Sequence, residues 1–443
     1  MARIKRVPLK SVSMELIKPS SPTPHKLRRY PLSSLDQLSP SVAMPVVLFF
    51  TNNNYTTNTQ RCNLLKQSLS RTLTHFYPMA GRLRDNLFID CSDEGVPFLE
   101  ARIDNDTSMS EFLQDPSPGH LNDFLPLKVE EANDLLAAFQ ATYFNCGGMA
   151  LTFQMSHKLG DGLSIFFFLT AWASIARDSS STTTFPEFNF AEIFPPINLP
   201  VGSGSVARPA PYNKVTAKRF VFSASTIAHL KTRYAEESLR PTRLEALSAF
   251  ISTRLLKISN KENNNDDDQD KNKNKKKKIF TVSHSVNLRS KMDPPLPENA
   301  FGNLFTSCIA VTDLDNQQQI LRKMREGTRA VDGDAVRMQL QQGGRGSVVS
   351  SLKEKEVKGE VQWVPFVFTS LCRMPLYDVD FGWGKPLWFG VSAESSFVNV
   401  VTFVDRKEGG GIEAWVNLKE EDMAEFEADE EIVALVSPTA LNL

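Results

Sequence analysis

The stretch from Met149 to Arg177 reads MALTFQMSHKLGDGLSIFFFLTAWASIAR, and its periodicity changes in the middle. Up to His157, apolar and polar side chains alternate, which is the period of a half-buried strand. A Gly-Asp-Gly sequence then interrupts the extended chain, and from Leu163 onward the apolar residues follow helical spacing. The pattern predicts a strand that ends at His157 and a helix over Leu163–Arg177.

A histidine at the end of a strand, next to a glycine-flanked turn, is a candidate catalytic base. Such a position holds the imidazole rigidly while one ring nitrogen faces a cavity, and imidazole exchanges protons near neutral pH. An ordinary structural interpretation is also available, because a lone histidine at a strand end is commonly a packed or rim residue and Asp161 is placed to cap the helix. The stretch alone leaves both interpretations open for His157.

The composition excludes several classes of protein. The chain has 443 residues, enough for two or three domains with sizeable cores. Lys and Arg number 50 against 51 Asp and Glu, so no electrostatic attraction to nucleic acid or to an anionic membrane is expected. Hydrophobic content is 41% and no apolar run is long enough to span a bilayer, which is typical of a soluble globular protein.

The five cysteines are scattered along the chain, at Cys62, Cys91, Cys146, Cys308 and Cys372. None forms a C-x-x-C pair, so neither a metal site nor a disulfide framework is predicted. The N-terminal segment is basic, but no apolar core follows it, and a secretory signal is therefore not predicted. We expect a cytoplasmic protein.

The chain divides at a segment rich in Ser, Thr, Pro and Gly. Residues 179–215 form this predicted linker, between an N-terminal domain over 1–178 and a C-terminal domain over 216–443. Strand and helix patterns alternate in both halves with many hairpin signals, which predicts an α/β fold with mixed sheets. The predicted local elements include a strand over Val42–Phe50, a helix over Leu64–Phe76, a hairpin of Leu87–Cys91 with Val96–Arg102 and a hairpin of Ala137–Phe144 with Ala150–His157.

A second constellation, Asp380-Phe381-Gly382-Trp383-Gly384, lies far along the chain. Together with His157-x-x-x-Asp161-Gly162 it resembles the BAHD family of plant acyl-CoA-dependent acyltransferases, and the two signatures occur in that family's order. Supporting stretches extend over nearly the whole chain, namely Pro19–Pro24, Leu35–Gln37, Phe76–Leu83, Asn287–Arg289 and Asn299–Asn303. Within the family, the run from Ser156 to Gly162 resembles the branch of vinorine synthase, alkaloid O-acetyltransferases and capsaicin synthase.

The resemblance implies both a fold and a reaction. The fold would consist of two similar-sized domains of chloramphenicol-acetyltransferase-like topology, with a channel between them and His157 at its middle. Acyl-CoA, with acetyl-CoA favoured, would enter from one mouth as cosubstrate, and a small-molecule alcohol or, less favoured, an amine from the other. No tightly bound cofactor, metal, nucleic acid or membrane partner is implied, and the expected state is a monomer.

The resemblance also implies roles for residues around His157, the expected general base. Asp161 would turn away from substrate and pair with Arg289, so that both of them, with Gly162, are structural residues near the site. Neither signature supplies a cysteine nucleophile, and Ser156 points to the opposite strand face from His157. Direct transfer in a ternary complex is therefore expected.

Further site residues are implied in the second half of the chain. Thr369 is the candidate oxyanion donor, and Leu371 stands where the family has a tryptophan. Asp380 is predicted to be a catalytic residue together with His157, and a structural role in its loop is the open alternative. The candidates on the CoA side are Asn299, Gly302, Asn303, Gly382, Trp383 and Gly384.

Other functions fit the sequence less well. A carrier-protein condensation domain usually shows a second histidine before the catalytic one, where this chain has Ser156. A serine hydrolase would need a G-x-S-x-G elbow, and none occurs. A non-catalytic homologue that binds a ligand or a partner protein is the remaining alternative, and thiol release from acyl-CoA in the presence of an alcohol would distinguish the enzyme from it.

The segment Asn260–Lys278 is of low complexity, with an acidic block followed by a basic one, and its composition predicts disorder. Replacing it with a short Gly/Ser linker should therefore leave kcat and the melting temperature nearly unchanged. Steady-state kinetics and calorimetry test this expectation. A large loss of either quantity would show that the segment packs against the protein or binds something.

Overall fold

Helices and strands alternate throughout the computed structural model of the chain, which describes residues 9–52, 55–104, 107–127, 134–178, 183–197, 208–209, 215–236, 239–261, 276–312, 317–341, 347–391 and 397–437. The strands are β1 (Leu9–Ile17), β2 (Arg29–Pro31), β3 (Ala43–Phe50), β4 (Arg82–Arg84), β5 (Phe88–Asp90), β6 (Val96–Ile103), β7 (Ala137–Tyr143), β8 (Met149–Ser156), β9 (Arg208–Pro209), β10 (Val215–Phe222), β11 (Lys277–Asn287), β12 (Phe305–Thr312), β13 (Val361–Ser370), β14 (Trp388–Val391), β15 (Phe397–Val398), β16 (Val400–Asp405) and β17 (Ile412–Lys419). The helices are α1 (Ser34–Leu38), α2 (Asn58–His75), α3 (Met109–Gln114), α4 (Pro118–Leu121), α5 (Gly162–Ala176), α6 (Phe190–Ile193), α7 (Ala224–Arg233), α8 (Arg243–Lys261), α9 (Gln317–Ala330), α10 (Gly333–Gln341), α11 (Ser347–Val357), α12 (Glu420–Ala428) and α13 (Glu430–Leu435).

Two six-stranded sheets form the framework. The first has the order β1-β6-β7-β8-β3-β14, with β6 and β7 parallel and its other neighbouring strands antiparallel. The second has the order β10-β17-β16-β13-β11-β12, and β13 runs parallel to both of its neighbours. Small sheets β2-β5-β4 and β9-β15 complete the arrangement. The predicted α/β class with mixed sheets is therefore confirmed.

Helices α2 and α5 pack on the first sheet and fix the position of the turn after β8. The Trp172 ring of α5 meets Phe139 of β7 edge-on at 5.2 Å between centroids, and Phe139 stacks on Phe153 of β8 at 4.9 Å. Trp172 Nε1 also donates to Ser68 Oγ of α2 at 2.9 Å, which satisfies a buried polar group. Because α5 is held along its length, its first residue lies at a fixed place beside the end of β8.

The C-terminal part of the chain returns to the first sheet. Strand β14 pairs antiparallel with β3, and Phe381 and Trp383 belong to the apolar core of the first sheet. Trp388 of β14 stacks on Trp415 of β17 at 6.0 Å, so this segment also joins the two sheets. The domain limits 1–178 and 216–443 stay predictions, and the pairing of β14 shows that residues 388–391 complete the sheet of the first half.

Two local predictions were wrong. The helix expected to begin at Leu64 begins at Asn58, because Thr57 and Gln60 form a capping box at its N-terminus. The expected hairpin of Leu87–Cys91 with Val96–Arg102 does not form: β5 pairs with β2 and β4, whereas β6 pairs with β1 and β7. Phe98 of β6 is fully buried in the large sheet. Burial of such side chains therefore favours the pairing of β6 with β1 and β7 over a pairing with β5, its neighbour along the chain.

Much of the predicted linker and of the low-complexity segment lies outside the described residues. Within 179–215, the described residues 183–197 include α6, and Glu187 forms a bridge to Ala300. Residues 262–275 are not described, and the bounds 260–278 were too wide, because α8 extends to Lys261 and β11 begins at Lys277. A replacement confined to 262–275 leaves both elements whole.

Candidate active site

His157 lies at the point where β8 ends and the chain turns into α5. Its backbone N–H donates to the Val42 carbonyl at 2.8 Å, directly before β3, so the turn stays attached to the first sheet. Asp161 then caps α5 by accepting the Ser164 N–H at 3.0 Å. The residue is half-buried, and burial lowers the pKa of its imidazole below the usual 6.5. At neutral pH the ring is therefore uncharged and able to accept a proton.

The side chain of Asn303 determines which ring nitrogen of His157 carries the proton. Its Nδ2 donates to Asp36 Oδ1 at 2.8 Å and to the His157 carbonyl at 2.7 Å, so both of its amide hydrogens are used. Its Oδ1 therefore faces His157 Nδ1, at 2.9 Å, as an acceptor. An acceptor at this position requires the proton on Nδ1, which leaves the lone pair of Nε2 free to act as a base.

Asp36 holds Asn303 in place and was not predicted as a site residue. It lies in α1, where it forms a capping box with Ser33, and its Oδ2 accepts the Ser33 N–H at 3.0 Å and the Ser33 hydroxyl at 2.7 Å. Its Oδ1 accepts both the backbone and the side-chain N–H of Asn303. Burial raises the pKa of Asp36 although these hydrogen bonds oppose the change. The Ser33-x-x-Asp36 pattern was a visible signal of the helix start, but not of the contact with Asn303.

Asp161 and Arg289 form the buried ion pair that the sequence predicted. Arg289 donates from its two terminal nitrogens to the two carboxylate oxygens, at 2.8 and 3.1 Å. Ser164 and Leu304 add backbone N–H groups at 3.0 and 3.1 Å. Burial alone would raise the pKa of Asp161, but Arg289 and these donors together hold it below the usual 3.8. With its oxygens occupied in this way, Asp161 fixes the turn.

Gly302 and Gly162 lie on either side of this ion pair. The Gly302 carbonyl accepts the Asp161 N–H at 3.3 Å, which brings the loop of Asn303 against the His157 turn. A Cβ on Gly162 would come within 2.9 Å of Leu371 Cδ2, so the side chain that stands at the family's tryptophan position packs on the first residue of α5. Gly162, Arg289, Gly302 and Asn303 are thus brought together with His157.

The second sheet presents a polar face to the site. One face of this sheet carries Phe368 and packs on the apolar core of the second sheet. The strand registers place five half-buried or exposed polar side chains on the opposite face: Ser285, Ser307, Thr369, Thr402 and Asn417. The same face carries Phe305, whose ring centroid is 5.6 Å from that of His157, and Trp415, which stacks on Trp388. Thr369 therefore lies on the face that meets the first sheet.

The second signature forms a self-contained loop at the other end of α5. Asp380 Oδ1 accepts the N–H groups of Gly382 and Gly384 at 2.8 and 3.0 Å, and both glycines have positive φ. Phe381 packs edge-on against Trp172 at 4.9 Å. Because α5 has 15 residues, its two ends are about 22 Å apart. The structure does not bring Asp380 or the loop glycines to His157.

The remaining predicted residues on the CoA side have other contacts. Trp383 packs in the first core, with the Arg61 guanidinium 5.5 Å from its ring centroid. Asn299 donates to the Phe185 carbonyl at 2.8 Å, within the described part of the linker. Neither contact involves the His157 ring. Trp383 instead packs in the core of the first sheet, and Asn299 holds the described part of the linker.

The described residues carry neither a metal-binding cluster nor a membrane-spanning helix. They contain no group of three or more His, Cys, Asp or Glu side chains arranged to hold a metal ion. No helix among them is long and apolar enough to cross a membrane.

Comparison with known proteins identifies the family. A family model described as the Transferase family matches residues 7–433. Limonoid 21-O-acetyltransferase of Citrus sinensis is 36% identical over 431 residues, which cover 96% of this chain and 97% of the relative. Vinorine synthase of Rauvolfia serpentina is 34% identical over 433 residues, with 94% and 95% covered. The chain belongs to this family, the BAHD acyltransferases.

Solved structures agree with this assignment. The crystal structure of vinorine synthase superposes with a TM-score of 0.81 at 32% identity, covering 97% of this chain and 99% of the other. F. sporotrichioides TRI101, in complex with coenzyme A and T-2, gives a TM-score of 0.69 at 18% identity, with 92% and 99% covered, and so shares the fold. The predicted two-domain BAHD fold is confirmed.

Breaking the Asp161–Arg289 pair should destabilise the protein as well as reduce its activity. The Asp161→Ala change leaves a buried guanidinium without its partner, which costs roughly 3–5 kcal/mol of unfolding free energy. Urea unfolding measures this loss. Asp334→Ala is the matched control, because Asp334 pairs with Arg337 at the surface with 83% of its side chain exposed, and its loss should cost at most about 1 kcal/mol.

The same variant has a predicted pH dependence. Since the pKa of Asp161 is lower in the folded protein, its stabilising contribution is present above the usual value of 3.8 and is lost as the pH falls through the folded value. The stability difference between parent and Asp161→Ala should therefore narrow at acid pH. An inactive variant as stable as the parent would instead indicate a direct chemical role for Asp161.

Proposed function

We propose that this chain transfers an acyl group, with acetyl favoured, from acyl-CoA to a hydroxyl group of a plant specialised metabolite, with His157 as general base. The observation that carries the proposal is the hydrogen bond from His157 Nδ1 to Asn303 Oδ1, which leaves Nε2 as a basic nitrogen. The name of the Citrus relative specifies O-acetyl transfer to a limonoid, which supports acetyl as the group and oxygen as the acceptor atom. An amine acceptor would use the same base.

The reaction is proposed as a single direct transfer. Nε2 of His157 takes the hydroxyl proton while the acceptor oxygen attacks the thioester carbonyl carbon. The tetrahedral intermediate then collapses, the carbon–sulfur bond breaks, and the proton on Nε2 passes to the departing sulfur, so that an ester and free CoA result. Asn303 Oδ1 accepts a hydrogen bond from the Nδ1–H group throughout, and this bond stabilises the transient imidazolium.

Charge that develops on the carbonyl oxygen needs a nearby donor. We assign this role to the hydroxyl of Thr369, because it is half-buried on the sheet face that meets the His157 site. Leu371, two residues further on, stands where the family has a tryptophan, and its side chain has no polar hydrogen to donate. The proposed site therefore contains no indole donor at this position.

We propose a structural role for Asp380. Its carboxylate holds the loop that inserts Phe381 and Trp383 into the first core, at the end of α5 remote from His157. The loop in turn leads into β14, which closes the first sheet. In this proposal Asp380 acts on stability and on the relation between the two sheets, and takes no part in proton transfer.

Removing the base should abolish most of the activity and leave the fold intact. The His157→Ala change should lower kcat by about a hundredfold or more, the usual contribution of a general base. Thiol release from acetyl-CoA in the presence of an accepted alcohol measures this. His284→Ala is the control, because burial likewise lowers the pKa of that imidazole, but the ring stacks on Phe368 on the core face of the second sheet. Near-full turnover in folded His157→Ala protein would rule out the mechanism.

Both substrates should be bound before any product leaves. An acyl-enzyme would need a protein nucleophile, and Cys372, next to Leu371, is a poor one because burial raises its pKa to about 12. Initial-rate plots at several fixed acceptor concentrations should therefore intersect. Mass spectrometry after incubation with acetyl-CoA alone should show no added acetyl group. Parallel plots with a trapped acetyl adduct would contradict direct transfer.

A further inference from the structure

Lys158, the residue next to the proposed base, has its ammonium group in the interior. The residue is 4% exposed, and lysine is rarely buried to this degree without a specific partner. Its Nζ donates to the carbonyl oxygen of Gln37 at 2.8 Å and to that of Asp36 at 3.4 Å. Both acceptors are backbone groups near the C-terminal end of α1, and the Asp36 carbonyl also accepts the Ser39 N–H at 3.2 Å. The His157 turn is therefore fastened to the helix that carries Asp36.

The ammonium group adds a positive charge to the cluster that holds the imidazole, because Asp36, whose carbonyl accepts from Lys158 Nζ, also binds Asn303, which contacts His157 Nδ1. The charged groups that the described residues bring around His157 are Asp36 of α1, Lys158 and Asp161 of its own turn, and Arg289 after β11. Asp161 is neutralised by its contact with Arg289, whereas Lys158 contacts uncharged carbonyl oxygens. Among the influences on the pKa of His157, burial is the largest and lowers it, Asp161 and the hydrogen bond with Asn303 raise it, and the charge of Lys158 adds a smaller lowering.

Lys158 largely retains its positive charge at neutral pH. Burial lowers the pKa of its ammonium group to about 8, while attraction to Asp36 opposes this change. At neutral pH the group is therefore still largely protonated. A buried cation in this cluster disfavours the imidazolium form of His157.

We propose that Lys158 is a positioning residue for the base: its buried ammonium fastens the His157 turn to α1 and, together with the burial of the ring, keeps the imidazole free of a proton before the acceptor arrives. The proposal rests on the proposed function only in naming His157 as the base. It assigns two separable effects to one side chain. The hydrogen bonds orient the turn, and the charge opposes proton uptake.

Three substitutions separate the two effects. Lys158→Met removes both the charge and the hydrogen bonds at similar length, Lys158→Gln removes the charge but retains a donor, and Lys158→Arg retains both. A positive charge lowers the pKa of a neighbouring imidazole, so its removal should raise the pKa of His157 towards 6.5. The acid limb of kcat/KM should accordingly move to higher pH in the Met and Gln proteins and stay in place in the Arg protein.

The test measures the pKa of His157 directly, by NMR titration of protein labelled with carbon-13 in its histidine rings. The His157 resonance is assigned as the one missing from His157→Gln protein. The expected result is a higher pKa in Lys158→Met and Lys158→Gln, and an unchanged pKa in Lys158→Arg. Lys66→Met is the control, because Lys66 is a cation held by Glu15 and Glu100 in the first sheet, and its loss should leave His157 unaffected.

An unchanged His157 titration in both the Met and the Gln proteins would overturn the proposal. The same result in Lys66→Met as in Lys158→Met would also overturn it, since the shift would then reflect general destabilisation. Activity in His157→Ala protein would refute the proposed function instead. The NMR titration still decides the effect of Lys158 in that case, because it needs no turnover.

Discussion

The side chain of Asn303 is the connection on which the proposed chemistry depends. It is fully buried, and its amide contacts three groups in two other parts of the chain: Asp36 of α1, and both the carbonyl and the imidazole of His157 in the turn after β8. Because both amide hydrogens are used elsewhere, its oxygen can only accept from the ring. The orientation of one amide thus determines which nitrogen of His157 is basic.

This connection is supported by apolar packing outside the two large cores. A third cluster joins α1, the segment around α6 and the chain on either side of Asn303, and it includes Leu35, Phe194, Leu288 and Leu304. The Asp161–Arg289 pair lies beside it and holds the Gly302 loop against the start of α5. The polar groups are therefore oriented by surroundings that exclude water, where hydrogen bonds are stronger and misplaced ones are costly. Loss of this packing would release Asn303 and with it the orientation of the ring.

Local features of the sequence predicted a large part of the site. The change of periodicity placed a strand end at His157 and the helix after it, and the family's pattern led to the Asp161–Arg289 pair. The contact between Asp36 and Asn303 was not predictable in this way, because neither residue lies in a distinctive local pattern that points to the other. The crossing of β14 into the first sheet was missed for the same reason, since strand pairing over such separations depends on burial across the whole sheet. Asn303, expected on the CoA side, is held against the imidazole instead.

The protonation state of the two ring nitrogens of His157 tests the central claim most directly. Nitrogen-15 NMR of histidine-labelled protein at neutral pH distinguishes a nitrogen that carries a proton from one that does not, and the His157 signals are those lost in His157→Gln protein. The structure predicts a proton on Nδ1 and a bare Nε2, since Asn303 presents an acceptor to Nδ1 and burial keeps the ring neutral. A proton on Nε2 with a bare Nδ1, or protons on both nitrogens at neutral pH, would contradict the account.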